Sequence, residues 1–127
     1  MKRLWIFGLM IILLTACSGK PAFTDNGRNG LIMVVVFYDD NGNGIMDNAE
    51  SGAQVQVAIS QDVSCPPASD PKRIDTDAYG IVKFPSLKPG KYCVYPFGNY
   101  SMTTKLTQEV YISSDLVTTV MFGIVRE

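Results

Sequence analysis

Leu31-Ile32-Met33-Val34-Val35-Val36-Phe37-Tyr38 is an unbroken aliphatic and aromatic run that passes directly into an acidic segment rich in Gly and Asn. β-Branched and aromatic side chains fit a pleated sheet, so the run predicts a buried strand. Beyond the acidic segment, Ala53-Gln54-Val55-Gln56-Val57-Ala58-Ile59-Ser60 alternates apolar and polar residues, the period of a half-buried strand. Whatever the acidic segment does, it does as a link between two strands. Helical periodicity is absent from Leu31 onward, and short apolar runs are punctuated by Gly, Pro, Asn and Asp. Further strands are expected at Lys72–Thr76, Ile81–Phe84, Lys91–Tyr95, Lys105–Ile112 and Leu116–Val125, with turns at Asp77–Gly80 and Leu87–Gly90. The pattern predicts an all-β fold, a single antiparallel β-sandwich of about seven strands, immunoglobulin-like or transthyretin-like.

The linking segment, Asp39-Asp40-Asn41-Gly42-Asn43-Gly44-Ile45-Met46-Asp47-Asn48-Ala49-Glu50, fits the twelve-residue pattern D-x-[DN]-x-[DN]-G-x₅-E at every specified position. Calcium takes about 6–8 oxygen ligands of mixed kind. Asp39, Asn41 and Asn43 offer side-chain oxygens, Ile45 a backbone carbonyl, Asp47 a direct or water-mediated contact, and Glu50 a closing bidentate carboxylate. Gly44 permits the sharp turn at the sixth position. The alternative is a β-turn with no ion, for which Asp, Asn and Gly are well suited. Against it, a turn alone does not call for Asp47 and Glu50 at the ninth and twelfth positions. No Lys or Arg lies between Arg28 and Lys72, whereas Asp39, Asp40, Asp47, Glu50, Asp62 and Asp70 all do. Crowded carboxylates repel, and a divalent cation relieves them. Strands on both sides make this an EF-hand-like loop without EF-hand helices, so a calmodulin-type switch is not expected.

The start of the chain has its own logic. Met1-Lys2-Arg3 is basic, and Leu4–Leu14 is an almost unbroken apolar stretch. That is short of the roughly 20 residues a helix needs to span a bilayer, and it suits the hydrophobic region of a secretory signal. Leu14-Thr15-Ala16-Cys17 resembles the bacterial lipobox, which implies cleavage after residue 16 and lipid on Cys17. The alternative is an ordinary secretory signal with an incidental cysteine. Three cysteines leave one over in an exported protein. With Cys17 lipidated, Cys65 and Cys93 remain as a disulfide pair in an oxidising compartment, two free thiols being the alternative. The domain reading is therefore a signal at 1–16, lipidated Cys17 and a flexible tether at 17–30, and one folded domain at 31–127. As a coil the tether reaches about 20 Å.

Removing residues 1–16 takes away two of the eleven bases and none of the twelve acids, so the formal charge moves from −1 to −3. Such a surface has no obvious attraction for nucleic acid. Membrane association would come from the N-terminal lipid. The chain has no histidine, which excludes Ser-His-Asp and Cys-His arrangements; no enzyme is expected.

The order of the pieces resembles the B-type repeat domains of SD-repeat surface proteins. The resemblance rests on the first strand, the Asp39–Glu50 loop, Gly52-Ala53-x-Val55-x-Val57, Thr76-Asp77-Ala78-Tyr79-Gly80, Phe84, Leu87-Lys88-Pro89-Gly90-Lys91-Tyr92, and Val120-Met121-Phe122-Gly123-Ile124. The "T-D-x-x-G … F-x-x-L-x-P-G-x-Y" part is shared with the wider Cna B-type and carboxypeptidase regulatory-like families. The resemblance implies an immunoglobulin-like sandwich stiffened by calcium in an extracellular or envelope protein. Some Cna B-type domains carry an isopeptide crosslink from a first-strand lysine; residues 31–38 contain no lysine, and none is expected. The functional expectation is a calcium-stabilised structural or interaction module on an exported, membrane-anchored lipoprotein of the cell envelope, with an unidentified protein or surface glycan as partner. The alternative is a small-ligand or carbohydrate-binding lipoprotein using Tyr92, Tyr95, Phe97, Tyr100 and Tyr111, whose other reading is core and rim packing.

Overall fold

The computed structural model describes residues 29–61, 64–67 and 71–127. The expected signal, Cys17 and all but the end of the tether lie outside the described residues. Seven strands form: β1 (Gly30–Tyr38), β2 (Gln56–Ser60), β3 (Lys72–Asp75), β4 (Ile81–Leu87), β5 (Gly90–Pro96), β6 (Gln108–Ile112) and β7 (Val117–Ile124). They make two packed sheets, one ordered β4-β1-β7 and the other β3-β2-β5-β6. Pairing is antiparallel except between β1 and β7, which run parallel from Leu31 opposite Val117 to Tyr38 opposite Ile124.

Between the sheets lies an apolar core. Ile32, Val34 and Val36 of β1 meet Val57 and Ile59 of β2, with Phe84, Val94, Val110 and Phe122 filling the space. Each such side chain contributes about 1.5–3 kcal/mol when fully buried. Successive strand residues point to opposite faces, so Val35 and Phe37 face away from this core. Both are nonetheless buried, Phe37 completely. The first half of β1 alternates in burial, and the second half is covered on both sides. That double cover is why the run reads as continuously apolar.

The expected strand at 53–60 divides in two. Only Gln56–Ser60 joins the four-stranded sheet. Gly52 bridges Phe37, and the Ala53 amide donates to the Val36 carbonyl (2.8 Å), so residues 52–53 still belong to β1's sheet. The segment is a corner that changes sheets. Ala53 and Val55 are buried on the way, which preserves the period of two. The expected strand at 105–112 is likewise shorter, beginning at Gln108. Before it, residues 101–104 form a strap along the upper edge of β7: Met102 bridges Ile124, the Thr103 amide donates to the Gly123 carbonyl (2.9 Å), and the Val125 amide donates to the Ser101 carbonyl (2.8 Å).

Candidate metal centre

The Asp39–Glu50 loop leaves the end of β1 and returns at Ser51, whose carbonyl accepts from the Tyr38 amide (2.9 Å). Asp39 is the pivot. Its side chain is 3% exposed, its amide donates to the Ile124 carbonyl (2.9 Å), and its two carboxylate oxygens accept from the Asn43 amide (3.2 Å) and the Gly44 amide (2.7 Å). Gly44 sits at φ +74°, in the left-handed region that favours glycine, and so turns its N–H back toward Asp39. The neighbouring Thr103 hydroxyl, together with the Gly44, Gly42 and Asn43 N–H groups, lowers the Asp39 pKa from 3.8 against the opposing effect of burial. The Thr103 hydroxyl is itself buried and makes no hydrogen bond.

The other loop donors are threaded onto the same network. Asn41 Oδ1 accepts from the Asn43 amide (3.1 Å), the amide that also donates to Asp39. Asn43 Oδ1 accepts from the Ile45 amide (2.9 Å). Asp47 Oδ2 accepts from both side-chain amides, from Asn41 Nδ2 and from Asn43 Nδ2, the latter at 3.1 Å. Glu50 accepts at both oxygens, from the Asp40 amide (3.0 Å) and the Asp47 amide (2.9 Å). Shared hydrogen-bond partners therefore link Asp39, Asn41, Asn43, Asp47 and Glu50 into one chain around the loop. The Ile45 side chain is 65% exposed, which leaves that residue only backbone groups to offer the loop.

Asp40 points elsewhere. Its carboxylate meets Arg126 Nε at 3.3 Å, while Arg126 Nη2 donates to Ser51 Oγ (3.0 Å) and the guanidinium stacks 4.2 Å above the Tyr38 ring. Arg126 thus ties together the residues that open and close the loop.

The donor set is all oxygen, a mixture of carboxylate, amide and carbonyl, which fits calcium rather than a thiolate- or imidazole-binding metal. Among the described residues no three His, Cys, Asp or Glu side chains gather as a metal cluster by themselves. A cation here would need Asn41, Asn43 and the Ile45 carbonyl as well as Asp39, Asp47 and Glu50.

Beside the loop, Thr76 holds the sheet-changing corner. Its buried hydroxyl accepts from the Val55 amide (2.9 Å) and donates to the Ala53 carbonyl (2.7 Å), and its own amide donates to the Val55 carbonyl (2.8 Å). Asp77 Oδ1 then accepts from the Tyr79 and Ile81 amides, both at 2.9 Å, forming the turn into β4. The Thr-Asp-x-x-Gly string is thus a set of backbone satisfiers. Thr76 and the strap at 101–104 were not singled out as site residues by the sequence. Thr76 had a signal, a lone hydroxyl before an Asp-x-x-Gly turn, but the strap has none.

The five aromatic residues do not assemble into a platform. Tyr92 is buried, its hydroxyl donating to the Lys88 carbonyl (2.7 Å). Tyr100 packs against the core, and Tyr111 is 71% exposed on β6. Tyr95 and Phe97 lie 6.4 Å apart, tilted by 43°, along a groove of about 410 Å³ shared with Pro66, Pro96, Asn99 and Leu106. A flat stacking surface for sugar rings is not what that tilt provides. Cys65 and Cys93 form a disulfide, with Cα atoms 5.4 Å apart.

The sequence matches no protein-family model and no curated protein. Among solved structures it is similar to the major pilin subunit BcpA of Bacillus cereus, at 13% identity and TM-score 0.50, over 75% of this chain and 30% of that one. It is also similar to the group B streptococcus pilus 2b backbone protein, at 14% identity and TM-score 0.51, over 77% of this chain and 42% of that one. A third is the major pilin SpaD of Corynebacterium diphtheriae, at 16% identity and TM-score 0.52, over 76% and 32%. The chain spans less than half the length of each. At these identities the likeness is one of fold, an immunoglobulin-like β-sandwich.

Proposed function

We propose that this chain is a non-catalytic structural and interaction module, braced by one calcium ion and held to the bacterial cell envelope by lipid on Cys17. In this reading residues 1–16 are removed as a signal, 17–30 are anchor and tether, and 31–127 are the working domain, related to the SD-repeat B-type and Cna B-type sandwiches. The observation that carries it is the Asp39–Glu50 loop, a strand-to-strand link whose oxygen donors are joined through shared partners around a buried Asp39. The side chains of Asp39, Asn41, Asn43, Asp47 and Glu50 and the carbonyl of Ile45 would hold the ion. Bound there, calcium would neutralise the carboxylates and fix the end of β1 to the corner at 52–55. The fold neighbours are described as pilin and pilus backbone proteins, which supports a structural role at the surface. The partner would be a protein or a surface glycan of the envelope.

Titration calorimetry with calcium tests this reading. One equivalent bound, with an affinity near the 10⁻⁴–10⁻³ M of extracellular modules and a calcium-dependent rise in melting temperature, is the expected result. No heat and no thermal shift would reduce the loop to an acidic turn.

A further inference from the structure

We propose that Thr103 is a positioning residue for Asp39, and that through it a cation in the Asp39–Glu50 loop orders the strap at 101–104. The inference rests on the calcium reading above and adds to it a residue far away in sequence. Thr103 Oγ1 is buried and has no hydrogen-bond partner. Buried hydroxyls rarely go unpartnered, so the group needs an acceptor close by. Asp39, whose side chain lies in the same space, would be that acceptor. Gly123 shows the convergence: a Cβ added there would collide with Thr103 Oγ1, and would lie 3.1 Å from Phe37 Cζ and 3.2 Å from Asp39 Cβ. The bare glycine on β7 is what lets the hydroxyl, the Phe37 ring and the base of the Asp39 side chain share one small space.

The loop also runs close to the strap at Gly44. A Cβ on Gly44 would sit 3.9 Å from both the Thr103 carbonyl oxygen and Thr104 Cγ2. The strap is fixed to β7 by the Thr103 amide on the Gly123 carbonyl (2.9 Å) and by the Gly123 amide on Thr104 Oγ1 (3.2 Å). An ionised carboxylate offers about four lone-pair sites. The Asn43 and Gly44 amides donate to Asp39, and a cation bound in the loop would hold the same carboxylate. Fixing the carboxylate from the loop side therefore fixes the acceptor that the strap needs.

The test combines calcium calorimetry with amide hydrogen exchange on the unsubstituted protein, Thr103→Val and Thr103→Ser. Calcium is expected to slow exchange at the Thr103 and Gly123 amides as well as within the loop. Thr103→Val should bind calcium about tenfold more weakly, the scale of one hydrogen bond to a charged group, and lose the slowing at Gly123. Thr103→Ser keeps the hydroxyl and should restore both. Calcium uptake by the unsubstituted protein without slowing at Thr103 and Gly123 overturns the proposal, even where Thr103→Val fails to fold. So does Thr103→Val binding at the original affinity. Absence of any calcium uptake by the unsubstituted protein instead refutes the underlying metal reading, and this inference with it.

Discussion

Glu50 uses both carboxylate oxygens as acceptors, one for the Asp40 amide and one for the Asp47 amide, so a single side chain clamps the second and ninth positions of the loop. Glu50→Gln would place an NH₂ group against one of those N–H donors and remove the bidentate ligand. Calcium at 100 times its dissociation constant adds about 2.7 kcal/mol of stability, and Glu50→Gln should abolish most of that increment. Asp40→Asn should keep it, because Asp40 faces Arg126 across an exposed pair of the kind worth about 0.2–1 kcal/mol. Melting curves with and without calcium separate the two; equal loss in both variants would refute the ligand assignment. Asp39 adds an acid signature to the metal-free protein. Its folded pKa lies below 3.8, so its contribution is fully present above pH 3.8 and is lost as pH falls through the folded value. Melting temperatures of the unsubstituted protein and Asp39→Asn, followed from neutral to acid pH, should converge only below that point.

The elements show which sequence signals survive folding. β1 was legible because its composition is that of a strand covered on both faces, and the linking segment because strand-like runs flank it. The corner at 53–55 read as strand since Ala53 and Val55 are buried like strand residues; alternation reports which side faces the core, not which sheet the backbone joins. The strap at 101–104 was invisible because its hydrogen bonds are made by backbone and hydroxyls, groups with no hydrophobic period. The corner carries the next prediction. Thr76→Val keeps the shape but strips two hydrogen bonds from buried Val55 N–H and Ala53 C=O. Each group left unsatisfied costs about 1–3 kcal/mol, and a loss of about 2–3 kcal/mol should lower the melting temperature by more than 8 °C in a domain this size. A shift within 2 °C would show that water replaces the hydroxyl. The disulfide acts on a different element pair. Linking residues 28 apart, it restrains the unfolded chain by about 3–4 kcal/mol on loop-closure entropy. Reduction should lower the melting temperature while the calcium-dependent increment survives, since neither cysteine belongs to the loop.

At the scale of the molecule, the parallel pairing of β1 and β7 decides where things face. β1 begins at Gly30 and ends at the loop, and β7 runs beside it toward Arg126. The loop, the strap and the Arg126 latch therefore share one pole, and the end at which the chain enters the sandwich is the other. The seven-strand sandwich was legible in turn spacing, but this polarity was not, because nothing in a strand's composition says whether its neighbour runs with it or against it. The polarity gives the proposed anchor a consequence. A nine-residue strand spans roughly 30 Å at about 3.3 Å per residue, comparable to the reach of the tether. Lipid on Cys17 would hold the Gly30 pole toward the bilayer on average and leave the calcium loop facing away from it. Intact mass should show added acyl chains on a chain starting at Cys17, and Cys17→Ser should leave the membrane fraction, since each buried acyl methylene contributes about 0.8 kcal/mol. Fluorophores placed at exposed Asn48, in the loop, and at exposed Ser113, near the other pole, should then differ in quenching by a dye in the bilayer, with Ser113 quenched more. Equal quenching would mean that the tether lets the domain tumble freely; a soluble protein with no acyl mass would remove the anchor itself.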